Sequence, residues 1–432
     1  MSRKKVAVIG LGKIGLPLAL QIASSGASVL GCDSNSDVVS VVNSGDAPFS
    51  GEPGMERLRD AVNEHRLQAT QDLAWAVSES DIIVIVVPLL VDLNGQPTFE
   101  NIDDVTRRVG QNLRKGALVI FETTLPVGTT RNRFAKILER ESDSKLGHDF
   151  FLAYSPERVY SGKVFENLSK YPKLVGGTDL ESGRLAEDFY GSVISFDERS
   201  DLPQPNGVWN LGSSEAAELA KLAETTYRDV NIALANEFAI NAESLGVDIY
   251  KVIEACNSQP FSSIHQPGIA VGGHCIPVYP HFYLMGHPLA KVVNSARQTN
   301  LGMPALAIKT VLAAVGNLEG LRVAVLGLAY RGGVKEHSFS GALTLVDLLL
   351  KEGAIPLVND PMYSDEELRD LGLEVFHLGE PASAVILQTH HQEYESLGPD
   401  DFPGASYVYD GRNSMSQLVK GGIATHVLGR GV

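Results

Sequence analysis

Cys275 stands in the stretch 267–281, PGIAVGGHCIPVYPH, directly after two glycines and a histidine. Glycines so closely spaced suit a backbone that turns tightly or lies close to a ligand. A thiol on such a turn, just before a short helical run at 281–285, could have its pKa lowered by the helix N-terminus and serve as a nucleophile. The plain alternative is a buried cysteine acting as a small hydrophobe. Lys221, Thr225 and Arg228 are spaced i, i+4, i+7 and share one face of an Ala-rich helix. That face either meets solvent or lines a cleft. Thr124 and Glu157 each follow an apolar strand, where open α/β sheets bind ligands; loop capping is the alternative for both.

These residues need elements to hold them. Residues 5–9 read as a strand, followed by Gly10-Leu11-Gly12-Lys13-Ile14-Gly15, a helical run at 16–24, and a second strand ending at Asp33. In that context Gly10 permits the turn, Gly12 lets the backbone approach a pyrophosphate, and Gly15 lets the helix pack on the strand. Asp33 can accept hydrogen bonds from an adenosine ribose and would repel the extra phosphate of NADP, which points to NAD. Further strands are expected at 81–87, ending at Pro88, and at 117–122 and 150–154. Residues 200–212, rich in Pro, Gly and Asn, read as a linker. A long helix follows at 214–245, whose Leu219, Leu222, Val230, Leu234 and Phe238 keep helical spacing and favour burial against a partner. Helical sequence resumes at 249–256 and 290–315, and the helical middle is the expected dimer core.

A second α/β unit starts at 321. RVAVLGLA repeats the opening KVAVIGLG, and each copy then carries a helix, a Gly-Ala pair (Gly26-Ala27, Gly353-Ala354), a strand and an acid (Asp33, Asp360). The second copy has Ala329 for the middle glycine and then a basic loop with Tyr330, Arg331 and Lys335, so a different phosphate-bearing ligand is expected there. His390 and His391 read as polar strand-end residues rather than metal ligands, since no third ligand stands at metal spacing.

The 432 residues imply two or three domains, and a net charge of −16 argues against nucleic-acid or membrane-surface partners. Cys32, Cys256 and Cys275 form no disulfide framework and no metal spacing, so a reducing cytoplasm is expected, with Cys32 and Cys256 inert. Met1-Ser2-Arg3-Lys4-Lys5 leads directly into an apolar run read as a strand, so no signal peptide is expected.

The motifs GLGKIGLP, TTLPVGTT, YSPERV, ELAKLAETTYRDVNIALANE, QPGIAVGGHCIPVYP, LGLAYRGG and DGRN follow in order along nearly the whole chain. In them the chain resembles the UDP-glucose/GDP-mannose dehydrogenase family. The resemblance implies an α/β fold of two Rossmann-like doubly wound parallel-sheet domains joined by a long-helix dimerisation region. The expected segments are 1–199 for NAD, 200–318 for the helices and the cysteine, and 319–432 for the UDP-sugar. It further implies a cytoplasmic homodimer or higher oligomer that oxidises the C6 hydroxyl of a UDP-sugar to a carboxylate with two NAD. Arg158 and Val159 after Glu157, and GGHC in place of GGSC, are similar to the branch acting on UDP-N-acetylhexosamines.

By the same resemblance, Cys275 adds to a C6 aldehyde as a thiohemiacetal, which is oxidised to a thioester and hydrolysed. Lys221 stabilises the oxyanion, and Thr124 and Glu157 handle water and protons. The implied NAD contacts are Gly10, Gly12, Lys13, Ile14, Gly15, Asp33, Pro88 and Thr124. The implied substrate contacts are Glu157, Arg158, Val159, Lys221, Thr225 and Arg228, then Gly272, His274, Tyr330, Arg331 and Arg412; no metal is implied. Three positions depart from the family pattern. Thr225 stands where Asn is usual, Tyr279 where an acid is expected four residues after the cysteine, and 336–340 reads EHSFS. The same reaction on UDP-glucose is a close alternative. A two-electron hydroxy-acid dehydrogenase of the phosphogluconate type leaves Cys275 unexplained, and a non-catalytic NAD-sensing protein rests only on Tyr279 and Thr225.

Overall fold

The computed structural model describes residues 4–49, 51–92, 95–160, 162–415, 417–418 and 421–431; Met1, Ser2 and Arg3 lie outside them. The chain divides into two compact units, Met1–Ala223 and Glu224–Val432.

In the first unit, short runs of β-branched and apolar residues form β1 (Lys5–Ile9), β2 (Ser28–Cys32), β3 (Leu67–Thr70), β4 (Ile82–Ile85), β5 (Ala117–Phe121) and β6 (Phe150–Tyr154). They are followed by β7 (Lys173–Gly177) and β8 (Val208–Asn210), and the eight-stranded order is β8-β7-β6-β5-β4-β1-β2-β3. The core of this order, 3-2-1-4-5-6, is the doubly wound dinucleotide arrangement, with a ligand crevice where the order reverses beside β1. Helix α1 (Gly15–Ser24) and α2 (Leu180–Val193) pack apolar faces on the sheet. Because both sheet faces are covered, strands such as β4 and β5 are apolar at every position rather than alternating.

Residues 200–212 differ from the linker reading. Val208–Asn210 pairs parallel with β7, Asn206 donates to the carbonyls of Ser169 and Asp197, and the Trp209 indole donates to Pro205. Turn-forming composition hid a three-residue edge strand.

In the second unit, β9 (Arg322–Leu326), β10 (Ile355–Asn359), β11 (Ala384–Leu387), β12 (Tyr407–Asp410) and β13 (Ala424–Val427) form an all-parallel sheet in the order β10-β9-β11-β12-β13. This 2-1-3-4-5 order is the other common doubly wound arrangement. Helix α3 (Ser214–Leu245) starts in the first unit and ends in the second, followed by α4 (Ile249–Asn257), α5 (Tyr279–Gly286), α6 (Lys291–Val315) and α7 (Gly341–Lys351). Ala239, Ile253, Met303 and Ile308 from these helices share one apolar core with Val323, Val325 and Ile386 of the sheet. Of the α3 residues expected to be buried, Leu222 is buried and Val230 half-buried, whereas Leu219, Leu234 and Phe238 are exposed on the single chain.

The start of α3 is fixed by a buried carboxylate. Glu218 accepts from the backbone N–H of Gly128 and Thr130 at 2.5 and 2.9 Å and from the Thr130 hydroxyl at 2.6 Å. Burial pushes its pKa up to about 7 despite those bonds. A carboxyl raised in this way stabilises the fold fully below its unfolded value of 4.5, and that contribution is lost as pH rises through about 7. Urea unfolding across this window should therefore show wild-type stability falling by up to about 3 kcal/mol more than that of Glu218→Gln. Parallel curves for the two proteins would contradict this.

Candidate active site

The residues expected to carry the chemistry fall in both units. At the end of β1, Gly10 has φ +97°, and its N–H bonds the Cys32 carbonyl at 2.8 Å. A side chain at Gly15 would sit 1.9 Å from the Gly10 carbonyl, so α1 presses on the turn there. At Gly12 nothing lies within 4 Å of a Cβ, so the backbone there is open to close approach. Gly12 and Lys13 are exposed and Ile14 half-buried; α1 has no side-chain cap and no acid in its first turn, where the Leu16 and Leu18 N–H groups bond the Gly12 and Ile14 carbonyls and Pro17 has none. Asp33 Oδ2 accepts from Leu11 N–H at 2.9 Å and Oδ1 from Asn35 N–H at 2.9 Å, binding the end of β2 to the turn after β1. Pro88 is exposed beyond β4, and Thr124 is buried beyond β5. An uncapped helix end, an empty glycine cradle and a ribose-height acid fit a dinucleotide.

Beyond β6, the Lys221 ammonium donates to the backbone carbonyl of Glu157 at 2.6 Å. The Glu157 carboxylate accepts from the N–H groups of Arg158 and Val159 at 2.6 and 2.9 Å and from Lys173 Nζ at 3.2 Å. Burial works against ionisation of Glu157, but the Lys173 charge and these hydrogen bonds outweigh it and hold it below the ordinary carboxylate range. The Arg158 guanidinium donates to the Pro172 carbonyl at 3.2 Å. Thus the first unit brings Glu157, Arg158, Val159 and Lys221 together. On α3, in the second unit, Thr225 is buried while Arg228 is exposed, with its charge felt by His265.

In the second unit Cys275 is half-buried, with Sγ 3.9 Å from the Tyr279 hydroxyl. Its carbonyl accepts from Val278 and Tyr279 N–H, so the backbone rather than the thiol meets the first N–H groups of α5, which begins two residues earlier than expected. The loop before it is clamped. A Cβ on Gly272 would lie 2.6 Å from Tyr330 Cβ and 3.0 Å from the Phe339 carbonyl, and one on Gly273 would meet the Tyr330 ring at 3.1 Å. Gly273 N–H bonds the Ser338 carbonyl at 2.8 Å, and Gly268 N–H bonds Asn236 Oδ1 at 2.9 Å. Behind Asn236 a buried polar chain runs through Asn300 to Asp229 and Arg297. Arg412 spends its guanidinium on main-chain carbonyls, those of Gln388 at 2.7 Å and Ala270 at 3.0 Å, and so ties the end of β12 to the cysteine loop. Arg331 and His274 are exposed. Cys32 is buried with its thiol pushed up to about 11, chiefly by burial.

The repeat of the first fingerprint is also resolved. Asp360 Oδ2 accepts from Ala329 N–H at 2.7 Å, as Asp33 does from Leu11, but it also takes His391 Nε2 at 3.2 Å. His391 and Asp360 are both buried. His390 pairs with Glu395 at 2.8 Å.

Family models match along the chain: the NAD binding domain of the UDP-glucose/GDP-mannose dehydrogenase family at residues 4–194, its central domain at 215–300 and its UDP binding domain at 324–417. The chain belongs to this family. It is an oxidoreductase family of NAD-dependent nucleotide-sugar dehydrogenases. A UDP-N-acetyl-D-mannosamine dehydrogenase from Pyrococcus horikoshii is 35% identical over 427 residues, 96% of each chain. A solved structure of the UDP-D-ManNAc dehydrogenase from that organism superposes with TM-score 0.86 at 32% identity, covering 99% of both chains. A UDP-glucose dehydrogenase from Pyrobaculum islandicum gives 0.85 at 27% identity, covering 98% of this chain and 97% of that one. The family fold therefore does not separate these two sugars.

Sequence reasoning missed Lys173, Glu122 and Tyr190 around Glu157, and the Asn236–Asp229 chain behind the cysteine loop. A charged residue opening the strand KLVGG, and one closing ALVIFE, were the available signals. The glycine pair supplies the test here. Gly15→Ala should lower stability by about 1–3 kcal/mol, the cost of overpacking. Gly12→Ala should leave the melting temperature almost unchanged while weakening NAD binding at least tenfold by calorimetry. Equal NAD affinity in Gly12→Ala and wild type would remove the cradle from the binding site.

Proposed function

We propose that this protein oxidises C6 of a UDP-N-acetylhexosamine, with UDP-N-acetyl-D-mannosamine the first candidate, to the uronate in two oxidation steps. The observation that carries the reading is a thiol held half-buried on a loop clamped from several sides, as a reused nucleophile requires. The names of the relatives support the N-acetylated sugar. NAD, held by Gly10, Gly12, Lys13, Ile14, Gly15 and Asp33 with Pro88 and Thr124 at its edge, supplies the two-electron acceptor when bound. Cys275 forms the C–S bond to the C6 aldehyde and holds the carbon through to the thioester. Lys221, already a donor to an oxygen, offers its charge to the developing oxyanion. Glu157 receives the proton of the hydrolytic water. Arg158, Val159, Thr225, Arg228, Gly272, His274, Tyr330 and Arg331 are assigned to the substrate; Arg412 acts by fixing the loop that carries Cys275.

The proposal extends to organisation. The three segments 1–199, 200–318 and 319–432 are assigned to NAD, helices with cysteine, and UDP-sugar, with residues 208–210 of the second completing the sheet of the first. Exposed Tyr227, Leu234, Phe238, Val292 and Leu301 on α3 and α6 support a homodimer through these helices. No helix among the described residues is long and apolar enough to cross a membrane, and a cytoplasmic enzyme is proposed.

NADH counted against UDP-sugar consumed should give two per uronate, fastest with the N-acetylmannosamine sugar; one NADH with free aldehyde sinks the reading, and faster turnover of UDP-glucose replaces the substrate. Cys275→Ser should lose overall turnover with its fold intact. Wild type should discriminate against NADP through Asp33, so equal kcat/KM with both would displace that residue from the ribose. Glu157→Gln should release a burst of up to about two NADH per site and then stall as an acyl-enzyme. Tyr279→Phe should retain most of the steady-state rate; the reverse pattern would transfer the water-activating role to Tyr279.

A further inference from the structure

Behind Glu157 lies a buried cluster that none of the family motifs announces. Strand β7 runs antiparallel to β6, with Ala153 opposite Gly177 and Tyr154 opposite Gly176. The reversal brings the start of β7 to the sheet edge where β5 and β6 end. Lys173, the first residue of β7, is buried and bridges two carboxyls, Glu157 Oε2 at 3.2 Å and Glu122, the residue after β5. The Tyr190 hydroxyl, from α2, donates to Glu122 Oε2 at 2.6 Å, and Ser155 lies beside that hydroxyl. Facing Glu157 are also the N–H groups of Arg158 and Val159, while Lys221 meets its carbonyl. The Arg158 guanidinium is turned to Pro172.

The charge balance is specific. Two carboxylates beside one ammonium, all largely removed from solvent, would leave a poorly solvated net negative charge. Burial, and after it the Glu157 charge, push Glu122 up although Lys173 opposes them, so of the two carboxyls Glu122 is the one that holds a proton and can share it with Glu157. Burial alone would depress Lys173, but the two carboxyls raise it instead. With the proton on Glu122 the cluster is neutral, with its one negative charge on Glu157.

We propose that Lys173, backed by Glu122, is a positioning residue that keeps Glu157 ionised and aimed as the proton acceptor for thioester hydrolysis. The inference rests on the role given to Glu157 above. In that step water adds to the thioester carbonyl, a C–O bond forms, and the C–S bond breaks to release the Cys275 thiolate. The water proton passes to the Glu157 carboxylate. No electrons are exchanged. Lys173 touches neither the sugar nor the water; it sets the proton affinity and direction of the group that does.

The test is the pH profile of uronate release, measured by quenching after the burst. Removing the ammonium removes the charge that holds Glu157 low, so the acid limb should move up by about one pH unit or more in Lys173→Met and return in Lys173→Arg. The double variant Glu122→Gln/Lys173→Met leaves no second ionisable carboxyl beside Glu157 and should show the same displaced limb where the single variant folds poorly. A uniform loss of rate with an unmoved limb in both variants overturns the inference. Infrared titration of the Glu157 carboxylate in the protein without substrate reads the same shift independently of turnover. If Glu157→Gln hydrolyses without stalling, the role of Glu157 fails; if Glu157→Gln stalls but neither the limb nor the infrared midpoint moves in the Lys173 variants, this inference fails alone.

Discussion

In both units a carboxylate at the end of the second strand takes a backbone N–H from the turn after the first strand. The bonds are Leu11 N–H to Asp33 and Ala329 N–H to Asp360. That bond sets how sharply the chain leaves the first strand, and so where the following loop and helix present their N–H groups. It also leaves the remaining lone pairs of the acid pointed at the ligand edge. At Asp33 the other oxygen takes the Asn35 N–H at 2.9 Å, and among the described residues no side chain joins it. At Asp360 the lone pairs are taken by His391, with Met362 N–H on the other oxygen at 2.8 Å. Burial opposes the Asp360 charge, but these partners outweigh it and hold its carboxyl below the ordinary range. One local design thus recurs in both copies, with a buried imidazole on the acid of the second.

Much of this was legible in residue type and spacing. The glycine roles at Gly10, Gly12 and Gly15 follow from sequence alone, because each demands a different absence of Cβ: a positive φ, an open approach and a backbone contact. Helix α3 was legible because no Gly or Pro interrupts it. The glycines before Cys275 stand out by their spacing, yet not their reason, which is the side chain of Tyr330, some sixty residues further along. Tyr279 was visible as a departure, but only the structure shows its hydroxyl against the thiol. Long-range contacts of this kind leave no periodic trace.

The buried carboxyls were the least legible. Glu122 and Glu218 stand at the ends of apolar or Ala-rich segments and look like ordinary boundary residues. What distinguishes them is the solvent they have lost and the donors that replace it. Glu218 meets backbone N–H groups and a hydroxyl, whereas Glu122 meets an ammonium and a phenol. Such partners are assembled by strand order, which sequence pattern constrains only loosely.

The edge strand β8 has a practical consequence. Lys173 N–H bonds the Gly207 carbonyl at 3.0 Å, and Leu211 N–H bonds that of Val175 at 2.8 Å, so the flank of β7 away from β6 is held by the segment whose composition resembles a spacer. Spacers are where engineers place tags, cleavage sites and fused modules. Here an insertion between 206 and 211 would loosen the strand that delivers an ammonium to a buried acid pair, and its damage would be recorded as faulty chemistry in a protein that still folds.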